Sequence, residues 1–283
     1  MKTKNLLIAF AVTLLAIGFT ACKKDNTQTT SELETTFELA GDQAVSDNLT
    51  EDDNDILNET AVSNNFAGSR STTSQAVQSM NILSCATVTV TPLQGFPKQI
   101  VIDFGTGCTS SNGTTRKGKI KISITDSLRK SGSVAVLTYD AYYVNNFKKE
   151  GTVTWTNTST VGTRSWERKC ENGKITSPDG RFWLHSGVKQ ITQTAGVSTP
   201  TNLLDDVFSI RGNHTVTNAA GKTRTATILE PLEKKTICEN IDKGQVKIQG
   251  PNHYAIIDFG DGTCDRIATI SIDGQAPRTI LLR

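Results

Sequence analysis

Lys119-Ile120-Lys121-Ile122-Ser123-Ile124 sets three isoleucines on one side of an extended chain and Lys, Lys and Ser on the other. Successive side chains of a strand point to opposite faces, so an apolar period of two marks a sheet with one buried face. The same alternation recurs in Val134-Ala135-Val136, in Thr152-Val153-Thr154-Trp155-Thr156, from Arg181 to His185, and in Ala268-Thr269-Ile270-Ser271-Ile272. Between these runs stand Asn112-Gly113, Ser131-Gly132, Asn172-Gly173, Asp179-Gly180, Asp261-Gly262 and Asp273-Gly274, pairs that supply the positive φ of tight turns. Abundant threonine suits a pleated surface with its hydroxyl toward water. No convincing helical stripe follows Met80. Residues 81–283 are therefore expected to form an all-β, antiparallel domain, either an extended meander or a two-layer sandwich.

The preceding stretch, 22–80, has another composition. From Lys23 to Met80 there are eleven acids and three bases, a net charge of −8, whereas Asn81 to Arg283 carries +8. Ser, Thr, Asn and acids dominate, with few apolar groups to offset the entropy of ordering, so a partly disordered acidic linker is expected. Within it, Leu39, Ala44, Leu49, Ile56, Leu57 and Ala61 form a short apolar stripe that fits a helix over about 38–62, although the composition favours a solvated linker.

Residues 1–21 read as an export signal. Lys2 and Lys4 precede an apolar run from Leu6 to Phe19, which is short for a permanent membrane span. Phe19-Thr20-Ala21-Cys22 resembles the bacterial lipobox, with Phe19 in place of the usual aliphatic residue. That resemblance implies cleavage before Cys22 and fatty acyl chains, palmitate among them, on its sulfur and amine. More than one chain suffices for stable anchoring.

The β region carries an internal echo. Gln99 to Cys108 (QIVIDFGTGC) resembles Ala255 to Cys264 (AIIDFGDGTC). Cys85 lies 23 positions before Cys108, Cys238 lies 26 before Cys264, and an alternating strand follows each copy. Related elements are thus expected near 85–124 and 238–272. With Cys22 reserved for lipid, the spacing and the exported address suggest Cys85–Cys108 and Cys238–Cys264 disulfides and leave Cys170 over. Buried reduced thiols are the alternative.

Chemistry is scarce in the sequence. Asp103-Phe104-Gly105 and Asp258-Phe259-Gly260 spell the kinase magnesium triplet without its glycine-rich loop, strand lysine or catalytic loop. Three carboxylates, Asp258, Asp261 and Asp265, are enough to begin a calcium shell, but the spacing is not that of an EF-hand, and turn capping explains them better. No Gly-x-Ser-x-Gly elbow occurs. The three histidines, His185, His214 and His253, sit in or beside strands. A carboxylate pair such as Asp103 and Glu230 would serve a glycosidase, without anything to motivate it. Cys170 as a nucleophile needs a lowered pKa. No close Cys or His pair gives zinc spacing, and no cofactor pattern is legible. The basic residues are dispersed, which argues against nucleic acid; acidic glycans, envelope phosphates or the chain's own acidic segment are better partners. Trp155, Trp166 and Trp183, with Tyr139, Tyr142 and Tyr143, offer core packing or sugar stacking. Core packing is the favoured reading, and Trp183, which alternates with Phe182 and Leu184, is the one with an outward alternative.

The signature Asp258-Phe259-Gly260-Asp261-Gly262 resembles polycystic-kidney-disease domains, but Ile257 replaces their tryptophan. The combination of lipobox, acidic spacer, Ile102 to Cys108, Gly113 to Ile120 and Asp258 to Asp265 resembles Bacteroidetes-type outer-membrane lipoproteins over most of the mature chain. That resemblance implies a lipid-anchored cell-envelope protein, periplasmic or surface-exposed, and brings no catalytic residue. The expectation is a non-enzymatic binding or structural module for a glycan, envelope component or protein. A carbohydrate-active or other hydrolytic enzyme is the alternative.

Overall fold

The structure is a computed structural model that describes residues 24–68 and 76–282. The signal segment 1–21 and Cys22 lie outside the described residues. Among the described residues one α-helix, α1 (Lys24–Ser63), precedes fourteen strands: β1 (Thr87–Thr91), β2 (Lys98–Asp103), β3 (Cys108–Thr109), β4 (Thr115–Ile124), β5 (Val134–Val144), β6 (Phe147–Asn157), β7 (Ser165–Thr176), β8 (Phe182–Ala195), β9 (Val207–Asn218), β10 (Thr223–Lys235), β11 (Lys243–Gln249), β12 (Tyr254–Asp261), β13 (Ile267–Ile272) and β14 (Arg278–Leu281). Each strand pairs antiparallel with the next along the chain, except that β2 pairs with β4 and the short β3 sits against β4. The fold is thus the single meander, an open sheet with β1 and β14 at its edges.

The sheet curls because its ladders are interrupted. Register shifts break the pairings from β4–β5 to β7–β8 and again from β8–β9 to β11–β12, and each bulge bends its strand and increases twist. At the first, Gly118 has φ +80°, and a Cβ there would fall 2.0 Å from the Ala141 carbonyl oxygen. No other residue fits that close approach of β4 to β5. The curl goes so far that the Thr114 hydroxyl, just before β4, reaches the Glu239 carboxylate, just before β11, at 3.4 Å.

Inside the curl lies α1. Forty residues at a rise of about 1.5 Å each make a rod about 60 Å long. The helix anticipated over about 38–62 is present and is longer, and along that stretch the acidic segment is the core, not a solvated linker. Residues 46–62 are buried without a break. Leu39, Ala44, Leu49, Ile56, Leu57 and Ala61 all pack into the apolar cluster with the inward strand residues, among them Ile120, Ile122, Ile124, Trp155, Trp183, Phe208 and Ile257. The Lys119–Ile124 reading holds: the three isoleucines face in, the lysines out.

A helix buried on every side is usually apolar on every side. This one is acidic, and the sheet supplies the counter-charges. Arg116 on β4 donates to both oxygens of Asp52, at 2.5 and 3.3 Å. Lys149 on β6 and the Tyr139 hydroxyl on β5 both donate to Asp53, at 2.6 and 2.5 Å. Arg168 on β7 binds Glu51 at 2.5 Å, Lys189 on β8 binds Asp47, and Lys234 on β10 binds Asp55 at 2.8 Å. Consecutive helical residues point about 100° apart, so Glu51, Asp52 and Asp53 radiate to four strands, β4 to β7, which is possible only because the sheet surrounds them. Nearer the helix start, Arg181 forks onto Asp42 at 2.8 Å twice. Burial raises the Asp47, Asp53 and Asp55 carboxyls against the pull of Lys189, Lys149 and Lys234. Second oxygens of Asp47, Glu51, Asp53 and Asp55 lack hydrogen-bond partners among the described residues. Desolvation therefore offsets much of the Coulomb gain at each pair.

Candidate functional site

The sheet's outer face dents where β6, β7, β8 and β9 run side by side. The β6–β7 register shifts between Glu150 and Thr152, and the β7–β8 register between Cys170 and Gly173. A recess of about 730 Å³ opens over these breaks. Its rim carries Glu150, Lys169, Glu171 and Lys174; its wall presents the Ser186, Thr215 and Thr217 hydroxyls with the exposed aliphatic side chains of Leu184 and Val188. Lys169 and Glu171 pair at 2.7 Å, and Lys148 and Glu150 at 3.0 Å.

Beneath that recess the inward side chains of the same strands converge. Cys170, His185 and His214 are all buried, and their potential ligand atoms lie within 4.8 Å of one another. The Cys170 sulfur is 3.7 Å from His185 Nδ1, and the two imidazoles stack with centroids 5.7 Å apart. Glycines make the room. A Cβ at Gly173 would lie 2.6 Å from His185 Nε2, and one at Gly187 would lie 2.5 Å from His214 Nδ1. The register sets Cys170 opposite Gly187, Gly173 opposite His185 and His214 opposite Gly187. His214 Nδ1 has no hydrogen-bond partner among the described residues.

All three groups are held neutral. Burial, with the charges of Lys149, Lys189 and Arg168, pushes His185 down to about 3. Burial and the charge of Lys189 hold His214 still further below the ordinary imidazole value. Burial also pushes the Cys170 thiol up to about 11, outweighing Lys149 and Arg168. A thiol so held is a poor nucleophile at neutral pH, which argues against that role for Cys170. The arrangement sets two imidazoles and one sulfur around a common point.

The other residues singled out in the sequence have structural places. Cys85 and Cys108 are joined, as are Cys238 and Cys264, with Cα–Cα separations of 5.8 and 5.1 Å, and Cys170 is buried and unpaired. Asp258, Asp261 and Asp265 cap turns by accepting from the N–H of Gly260, Thr263 and Ile267, respectively. Asp103 does the same for Gly105 and pairs with Lys119 at 2.7 Å. Glu230 stands on β10, far from β2 in the strand order. All three tryptophans are buried. Trp183 takes the favoured core place, not its outward alternative: β8 starts with Phe182 facing out and turns Trp183 toward the helix, where its indole N–H donates to the Ser46 hydroxyl at 2.8 Å. His253 is bound by Asp273 at 2.6 Å. Among the described residues no helix is long and apolar enough to cross a membrane.

The Cys170, His185 and His214 cluster escaped the sequence reading because its members come from three strands. One signal was present: the Asp179-Gly180 turn folds β7 onto β8 and brings residue 170 close to 185. No protein-family model matches the chain, and comparison with curated proteins and with solved structures finds no match.

Proposed function

We propose that the chain is a lipid-anchored cell-envelope protein, of the Bacteroidetes-type lipoproteins it resembles, and a non-enzymatic module that binds a glycan on the outer face of its sheet. The observation that carries this reading is the recess over β6 to β9. Hydroxyls, charged rim groups and two exposed aliphatic side chains share one concave surface, and a sugar presents the same mixture of hydroxyls and C–H faces. Concavity with a few placed polar groups is the usual mark of a small-molecule site. The inward cations Arg116, Lys149, Arg168, Lys189 and Lys234 are taken up by the helix acids, so attraction for a ligand rests on outward groups such as Lys169 and Lys174. The lipid on Cys22, the signal peptide at 1–21 and the outer-membrane address rest on the sequence alone.

A glycan array probed with the full chain tests the binding reading, with Leu184→Asp as the control inside the recess. A defined glycan class should bind and should lose at least about 10-fold in affinity in the variant, the scale of one misplaced polar group in a pocket. Absence of any glycan signal, or binding unaffected at Leu184, sinks the reading, and turnover of a bound glycan would favour the hydrolytic alternative. For the anchor, globomycin should block cleavage before Cys22 and accumulate the longer precursor, held in the membrane fraction by its uncleaved apolar segment; unchanged processing would sink the lipobox reading.

A further inference from the structure

We propose that Cys170, His185 and His214 form a buried three-coordinate site for a soft monovalent metal ion, copper(I). The three donors are the types such an ion selects, thiolate and imidazole. They already face one another within 4.8 Å. Metal bonds of about 2.0 to 2.3 Å place the donors of a trigonal set about 3.5 to 4 Å apart, so a contraction of at most about 1.3 Å closes the site. His214 Nδ1 is more than nine-tenths buried and without a hydrogen-bond partner among the described residues, a donor still to be used.

Charge selects the ion. Lys149, Arg168 and Lys189 stand close by, and each already has its carboxylate in Asp53, Glu51 and Asp47. Copper(I) binds as the Cys170 thiol releases its proton to solvent; one sulfur–copper and two nitrogen–copper bonds form, and no electron moves. One positive charge enters and one leaves, so the buried region stays at its former charge. Zinc would leave an extra positive charge beside three cations, and it asks for a fourth ligand. The way in is the outer recess, whose floor includes Cys170 and His185, and Gly173 and Gly187 place no side chain over the ring nitrogens. The proposal is independent of what the recess binds.

The test uses the full chain with Cys22→Ser and both disulfides intact, which leaves Cys170 as the sole thiol. Titration with copper(I) against bicinchoninate, without oxygen, should withdraw one equivalent from the chelator. Cys170→Ser and His214→Gln should each weaken binding by at least about 100-fold, because loss of a ligand exceeds the loss from an outer-shell contact. X-ray absorption of the unsubstituted complex should find one sulfur and two imidazole neighbours, a readout that does not depend on the variants folding. Failure to compete with the chelator, binding indifferent to Cys170, a shell without sulfur, or zinc(II) held more tightly than copper(I) overturns the assignment.

Discussion

Asp52 and Arg116 show what a single buried pair does in this protein. Their side chains are almost wholly out of water, and a lone charge left there has nothing to solvate it. Arg116→Met should destabilise the fold by about 3–5 kcal/mol in urea unfolding, while Arg116→Met with Asp52→Leu should recover most of the loss. A double variant as unstable as the single one would mean the pair contributes more than mutual neutralisation. Asp206 makes the complementary case. Its carboxylate accepts from Gln193 at 2.7 Å, and burial lifts it to about 7 against the charges of Arg129 and Arg164, with Asp205 adding to the rise. The folded state holds this proton more tightly than the unfolded chain, so its contribution is full below about pH 4 and is lost as pH rises through about 7. Asp206→Asn should therefore gain on the unsubstituted protein by about 2–4 kcal/mol between pH 4 and pH 8. Parallel stability–pH curves for the two would refute the raised carboxyl.

At the level of elements, the helix sets the order of opening. Residues 46–62 are enclosed on all sides, so their amides should exchange only through global unfolding and be the slowest in the protein. Exchange as fast as in the turns would contradict a central helix. The strands were legible because the period of two is local: Lys119 to Ile124 states its own two faces. The helix was half legible. Leu39, Ala44, Leu49, Ile56, Leu57 and Ala61 marked its stripe, yet the acids between them look like linker composition until their partners are known. Those partners, Arg116, Lys149, Arg168, Lys189 and Lys234, belong to five strands, and pairing at such range leaves no local trace. The Cys170 cluster was hidden for the same reason, and the outward alternative for Trp183 stayed open because a β-strand's phase cannot be fixed from three consecutive apolar residues.

For the whole molecule, the two disulfides enclose corresponding parts of the path, one around β1 and β2, the other around β11 and β12. Each closes a loop of 23 or 26 residues, worth about 3 kcal/mol in the chain-entropy account. Replacing either pair by alanine should lower stability by about that amount, and alkylation without reductant should cap Cys170 after unfolding and leave Cys85, Cys108, Cys238 and Cys264 untouched. Capping of all five would refute both bridges. Placing the central element first in the chain has an effect on biogenesis. α1 is synthesised ahead of every strand that encloses it. An oily rod in that position would tend to aggregate while it waited; a carboxylate-studded one stays hydrated until basic strands arrive to enfold it. The acidity that disguises the centre of this protein as a spacer thus keeps the early-made segment in water's company until its wrapping is complete.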